Sequence, residues 1–163
     1  AENCYTCHIV PNEKLVNVGG HPAGSKFELV SWSQGEVRHN IWYTKENNAS
    51  PLERQRVMYI VGQALDLEFA LRGVAKATEK AKYAVAMAKR AKAATKRLQK
   101  IAEMVDAPEI QAILVVAAEA KLKLNNEDQL TAAANAVSAE AKKLADSYDG
   151  SQFAGIDAVL PKQ

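Results

Sequence analysis

Apolar residues recur every three or four positions through the larger, C-terminal part of the chain. From Val57 the series runs through Ile60, Ala64, Leu67, Leu71, Val74, Thr78, Ala81, Val85 and Ala88. It then moves over by one position to Ala84, Met87, Ala91, Ala94, Leu98, Ile101 and Val105. A straight α-helix drifts in this way against a strict heptad repeat. No proline falls between Pro51 and Pro108. The pattern therefore predicts one continuous helix ending near Val105, roughly 80 Å long. Ser50-Pro51-Leu52-Glu53 reads as its start, with Ser50 as cap, Pro51 at the first helical position and Glu53 closing a capping box. Gly62 and Gly73 are the positions at which such a helix would bend.

Two shorter helices follow. Asp106-Ala107-Pro108-Glu109 is a second start, and Ile110, Ile113, Ala117, Ala120 and Leu124 form an apolar face. Asn125-Asn126 breaks the chain, and Glu127 and Asp128 suit the next first turn. Leu130, Ala134, Val137, Ala141, Leu144 and Tyr148 make the third stripe, which Gly150 ends. The fold class expected is mainly α: an N-terminal loop and helix segment, then a long helix, then two shorter helices. The short pair folds back antiparallel on the C-terminal half of the long helix, as a three-helix bundle. The N-terminal half of the long helix is left to pack on the N-terminal segment, with Leu65 and Phe69 as candidate contacts. Residues 151–163 read as an irregular tail with Phe153, Ile156 and Leu160 as apolar anchors.

Composition separates the chain into unlike parts. Alanine clusters from Ala64 onward, and aromatics lie mostly before residue 60. The expected divisions are 1–49, the alanine-rich bundle 50–150, and the tail 151–163. A chain of 163 residues is long enough to bury a core. The net charge of +2 names no partner. No apolar run is long enough to span a bilayer, so no membrane span is expected. No signal peptide is visible, and Ala1-Glu2-Asn3 would suit a mature N-terminus left by cleavage.

The two cysteines fall three positions apart in Cys4-Tyr5-Thr6-Cys7-His8. One such pair does not make a disulfide scaffold for a chain of this size. A zinc site needs a second ligand pair, and a thioredoxin-like motif needs a βαβ setting; the sequence supplies neither. The pattern is that of covalent haem attachment. Two sulfurs bond the porphyrin vinyl groups, and the next histidine ligates the iron from the proximal side. One covalent haem c on Cys4, Cys7 and His8 is thus expected, which makes 1–49 a haem-binding segment. Thioether formation of this kind normally takes place outside the cytoplasm, so a periplasmic or equivalent location is expected.

Axial ligation decides what such an iron does. His21 lies in Gly19-Gly20-His21-Pro22-Ala23-Gly24, where small residues let a loop approach a flat ring. It is the leading candidate for sixth ligand. His39 is the alternative: in a helix it shares a face with Trp32, Gly35 and Trp42. Met58, Met87 and Met104 read as core fillers at helical spacing. From Lys76 to Lys100 nine cations face one acid, Glu79. This block reads first as the solvated face of an alanine-rich helix, and second as a surface that steers an acidic redox partner. Nucleic-acid binding is disfavoured, because no aromatics interleave with the charges.

Cys4-Tyr5-Thr6-Cys7-His8, Lys14-Leu15-Val16, Gly20-His21-Pro22-Ala23-Gly24, Phe27-Glu28 and Arg38-His39-Asn40 together resemble a segment of the bis-histidine multihaem c-type cytochromes. The resemblance covers roughly the first 45 residues strongly and the helical remainder less specifically. It implies an electron carrier of a periplasmic respiratory chain, with the histidine of the Gly-His-Pro run as distal ligand, which supports His21. Family members usually carry several CxxCH motifs, and this chain has one. If His21 and His39 both descend from ligands, one has lost its haem or serves a haem of a neighbouring subunit. The expected partners are redox proteins, other multihaem cytochromes among them, in a homo- or hetero-oligomer. The leading reading is a monohaem electron carrier and not an enzyme. The others are an accessory subunit docked into a larger redox complex or polymer, and a pentacoordinate haem enzyme or gas sensor.

Overall fold

The computed structural model describes residues 1–35 and 48–161. Within them the chain is helical, with no strand. Three short helices come first: α1 (Glu2–His8), α2 (Glu13–Asn17) and α3 (Leu29–Gln34). Four longer ones follow: α4 (Leu52–Ala75), α5 (Lys82–Ala102), α6 (Pro108–Glu119) and α7 (Glu127–Ser147). A 3-10 segment, Ser151–Val159, closes the described chain.

The continuous helix expected over residues 50–105 is two helices, α4 and α5, joined by a turn. They form an antiparallel hairpin, in which Arg90 and Arg97 reach Asp66 and Met87 packs on Gly73. Helix propensity does not explain the break, since the sequence through it is good helix former. The explanation is tertiary. The carboxylate of Glu13 accepts from the backbone N–H of Thr78 and Glu79 and from the Thr78 hydroxyl. Asn17 then caps α5 from a distance: its side-chain oxygen accepts from Tyr83 N–H at 2.9 Å, while its amide donates to Glu79 at 2.8 Å. The residue at the cap position, Ala81, has no side chain that does this. Two residues of α2 thus satisfy the donors that the turn sets loose.

The bundle has four members, not the three expected. Arg72 reaches Asn135 across α4 and α7, and Arg56 and the carbonyl of Gly150 pair near the other end, so these helices are antiparallel. Tyr148 reaches Glu109, and Gln129 reaches the Glu119 carbonyl, so α6 and α7 are antiparallel too. With α5 against α6, the four helices run alternately up and down around one core. The α7 stripe Leu130, Ala134, Val137, Ala141 and Leu144 is fully inside, as its periodicity requires.

Helix starts match less well. Pro51 occupies the cap position of α4, one residue later than expected, and no side-chain cap forms there. The Gln55 side chain donates to the Ser50 carbonyl instead. Gly62 and Gly73 lie inside α4 and serve close approach. A Cβ on Gly73 would meet Met87 Sδ at 2.7 Å, and one on Gly62 would meet Leu29 Cβ at 3.0 Å and Tyr5 Oη at 3.1 Å. The tail expected to be irregular is a 3-10 helix over Ser151–Val159; of its three anchors Phe153 and Ile156 are wholly buried, each contributing about 1.5–3 kcal/mol of apolar transfer, and Leu160 is half-buried. Arg56 of α4 adds a two-pronged pair to Asp157, at 2.6 and 2.7 Å.

Candidate haem-attachment site

A helix as short as α1 does not persist alone in water. Tyr5 holds it. The ring is 1 % exposed, meets Phe27 edge-on at 5.0 Å and stacks on Phe69 at 5.8 Å. Its hydroxyl donates to the Gly62 carbonyl at 2.7 Å. Burial, its main cause, pushes the hydroxyl far above the ordinary tyrosine value, so it stays a donor. Phe69 thereby makes the contact with the N-terminal segment that its place in the sequence suggests.

With Tyr5 turned inward, helical spacing sets Cys4, Cys7 and His8 in one arc of about 100° beside it. Cys4 is half-buried and Cys7 exposed. The His8 ring belongs to a three-ring aromatic cluster, covered on one face by Phe27 and approached from the side by Trp32. It stacks on Phe27 at 4.3 Å and 11°, and Trp32 meets it at 4.9 Å with an interplanar angle of 63°. His8 Nδ1 lies 3.2 Å from Ser25 Oγ, and the Ser25 N–H donates to the His8 carbonyl at 3.0 Å. Ser25 is brought there by Gly24, whose φ of 129° is open to glycine and whose Cβ would lie 2.9 Å from the His8 carbonyl oxygen. With Nδ1 turned to Ser25, Nε2 is the nitrogen that would face a metal. None of the aromatic packing around His8 was legible beforehand.

His21 stands elsewhere. It is exposed, and its Nδ1 lies 2.8 Å from the carbonyl of Pro22. A carbonyl only accepts, so the proton sits on Nδ1 and, in the neutral ring, the lone pair on Nε2. Gly20 precedes it with φ of 73°, and the Lys82 ammonium donates to the His21 carbonyl at 3.3 Å. The residue that the structure sets at the His8 ring is Ser25, not His21. His39 lies outside the described residues, as does Trp42. Met87 is a core residue at 1 % exposed, and Met104 is on the surface at 38 %.

A cluster of charged side chains lies behind Ser25. Its carbonyl accepts from Arg90 at 2.9 Å, and Arg90 pairs with Asp66. Asp66, 7 % exposed in its side chain, also pairs with Arg97, whose Nε donates to Gln63. Burial raises the Asp66 carboxyl, and the two guanidiniums pull it partly back. Arg90 and Arg97 were expected on a solvated face; they instead turn inward to a carboxylate on α4. The signal was available as Gln63, Asp66 and Glu68 within the otherwise apolar stretch from Val57 to Leu71.

The residues present fit a covalent haem. Two thiols and an imidazole lie in order on one arc, and the imidazole is oriented through its other nitrogen. Among the described residues no group of three or more His, Cys, Asp or Glu side chains is gathered to hold a bare metal ion. No helix described is long and apolar enough to cross a membrane. No protein-family model, curated protein or solved structure matches the chain.

Proposed function

We propose that this chain is a c-type cytochrome that carries one covalent haem and transfers electrons. The observation that carries the reading is the arc of Cys4, Cys7 and His8, with the His8 ring held by Ser25, Phe27 and Trp32. Cys4 and Cys7 would each add a sulfur to a vinyl group of the porphyrin, and His8 would ligate the iron through Nε2. When bound, the haem supplies a one-electron iron couple. The chain's own part is to hold the proximal imidazole rigidly, which keeps reorganisation small, and to tune its basicity through Ser25. His21 is the leading sixth ligand, its protonated Nδ1 giving Nε2 the lone pair; His39 is the alternative. Export to a periplasmic or equivalent space, and redox proteins as partners, belong to the same reading.

One observation favours the accessory-subunit reading beside it. Helix α6 is apolar almost all round: Ile110 and Ile113 face the core, yet Val115 is 59 % exposed on the other side. Helices of that pattern are usually covered on both faces.

Visible spectra of the purified protein, oxidised and reduced, with and without carbon monoxide, test the proposal. A low-spin spectrum indifferent to carbon monoxide is expected, converted to a carbon monoxide-sensitive one by His21→Ala. His39→Ala doing so instead would move the ligand to His39. A high-spin spectrum that shifts with carbon monoxide in the unaltered protein would bring the enzyme or sensor reading forward.

A further inference from the structure

Behind the attachment arc, a cleft of about 430 Å³ opens between α4, α5 and the stretch leading into α3. Cys4, Cys7 and His8 do not line it, but Tyr5, Ser25 and Phe27, which seat α1 and hold the His8 ring, do, so it adjoins the candidate haem site. Its volume lies within the range of about 300–1,000 Å³ usual for small-molecule sites.

The walls differ in character. On the apolar side Ala93 is exposed, with the edge of Phe27 and the buried Tyr5 behind it. The polar side carries Lys26, Arg90, Arg97 and Gln63 together with two carboxylates, Glu28 and Asp66. Both carboxylates are already engaged. Glu28 accepts from the N–H groups of Val30 and Ser31 and from the Ser31 hydroxyl, and Asp66 takes one guanidinium on each oxygen. Three cations thus stand against two occupied carboxylates. Arg97 spends its Nε on Gln63 and one terminal nitrogen on Asp66, while its side chain remains 39 % exposed at the cleft. Its planar fork retains donors for a further acceptor. Asp66 and Gln63 fix that fork in place, so little side-chain freedom is lost on binding.

We propose that this cleft binds a small organic carboxylate, its anionic end on Arg97 and Lys26 and its apolar body against Phe27 and Ala93. A neutral ligand would forgo the charge-assisted pairing that the remaining Arg97 donors offer. A bare inorganic anion would leave the apolar wall wet.

The test is calorimetric titration of the purified full-length protein, as it is isolated with its haem, using benzoate, with benzamide and chloride as controls. Saturable binding of benzoate, and none of benzamide or chloride, is expected. Arg97→Gln should weaken it by about tenfold or more, as for the loss of one hydrogen bond between charged groups. Because Arg97 also holds Asp66, Ala93→Trp is the second variant. Ala93 is exposed at the mouth of the cleft, so tryptophan there fills the space and leaves every charge in place. It should abolish binding without loss of helicity. No saturable heat, equal binding of benzamide, or full affinity in Ala93→Trp would overturn the proposal. Binding seen only in protein prepared without haem would also overturn it, assigning the cleft to the haem's own carboxylates. Absence of a haem spectrum, by contrast, would count against the cytochrome reading alone.

Discussion

The arc of Cys4, Cys7 and His8 is only as well placed as α1, whose one buried side chain, Tyr5, sits over Gly62 on the bundle. Tyr5→Phe removes the hydroxyl that donates to the Gly62 carbonyl at 2.7 Å and leaves both ring contacts. Gly62 lies inside α4, so its carbonyl keeps its helical partner and the loss should be about 1 kcal/mol, the net worth of one neutral hydrogen bond. Gly62→Ala brings opposing effects. Helix propensity favours alanine by about 1 kcal/mol. The new methyl, however, would sit 3.0 Å from Leu29 Cβ and 3.1 Å from Tyr5 Oη, and overpacking of a dense core costs about 1–3 kcal/mol. The net expectation is a loss of about 0–2 kcal/mol, where an exposed helical glycine would show a gain. The two changes should also couple. In a Tyr5→Phe background the Oη contact is gone and only Leu29 still resists. Gly62→Ala should therefore cost less there, with a coupling energy of about 0.5–1.5 kcal/mol. Urea unfolding of the four proteins, followed by far-ultraviolet circular dichroism, measures this. A stabilising Gly62→Ala, or the same cost in both backgrounds, would refute the account of how α1 is seated.

Other parts of the structure make their own predictions. Asn17→Ala should cost about 0.5–2 kcal/mol, as for a lost cap, and should speed hydrogen exchange at the Tyr83 amide although residue 17 lies in another helix. Burial raises the Glu13 carboxyl, but its bonds from Thr78 and Glu79 outweigh this and hold it below the ordinary glutamate value. Its stabilisation is then complete above the unfolded value of about 4.3 and is lost as pH falls through the lower folded one. Glu13→Gln should accordingly flatten the acid limb of the stability curve, and an unchanged limb would deny the clamp. Asp66→Leu leaves two guanidiniums without their carboxylate. Removing one partner of a buried pair costs about 3–5 kcal/mol, and because Arg97 can turn to water the low end is expected in thermal unfolding. Ser25→Ala should keep the haem spectrum but raise the midpoint potential in a redox titration, since the proximal imidazole becomes a weaker donor.

The sequence was most legible where periodicity alone decides burial. The α7 stripe, the Phe153 and Ile156 anchors, and the inward place of Met87 follow from spacing and apolarity. The α4–α5 break did not, because nothing local causes it. An alanine- and lysine-rich stretch is helical by propensity, and only Glu13 and Asn17, more than sixty residues earlier, turn it into a capped turn. Missing that turn made three helices of four. The same long-range pairing hid the inward Arg90 and Arg97, which a helix read alone assigns to solvent. At the candidate site, Cys4, Cys7 and His8 are singled out by their spacing, and that spacing is what the proposal tests. Ser25, Phe27 and Trp32 around His8 were not legible, since their meeting depends on the turn at Gly24.

The central claim is that Cys4, Cys7 and His8 hold a haem covalently. The most direct measurement is the intact mass of the chain produced in a host with haem c maturation, after acid–acetone extraction of loose haem. The account predicts a mass increased by one haem, with the colour staying on the protein, and loss of both in the Cys4→Ser, Cys7→Ser double variant. An apoprotein mass and a colourless chain, from a host that loads another c-type cytochrome in parallel, would contradict it.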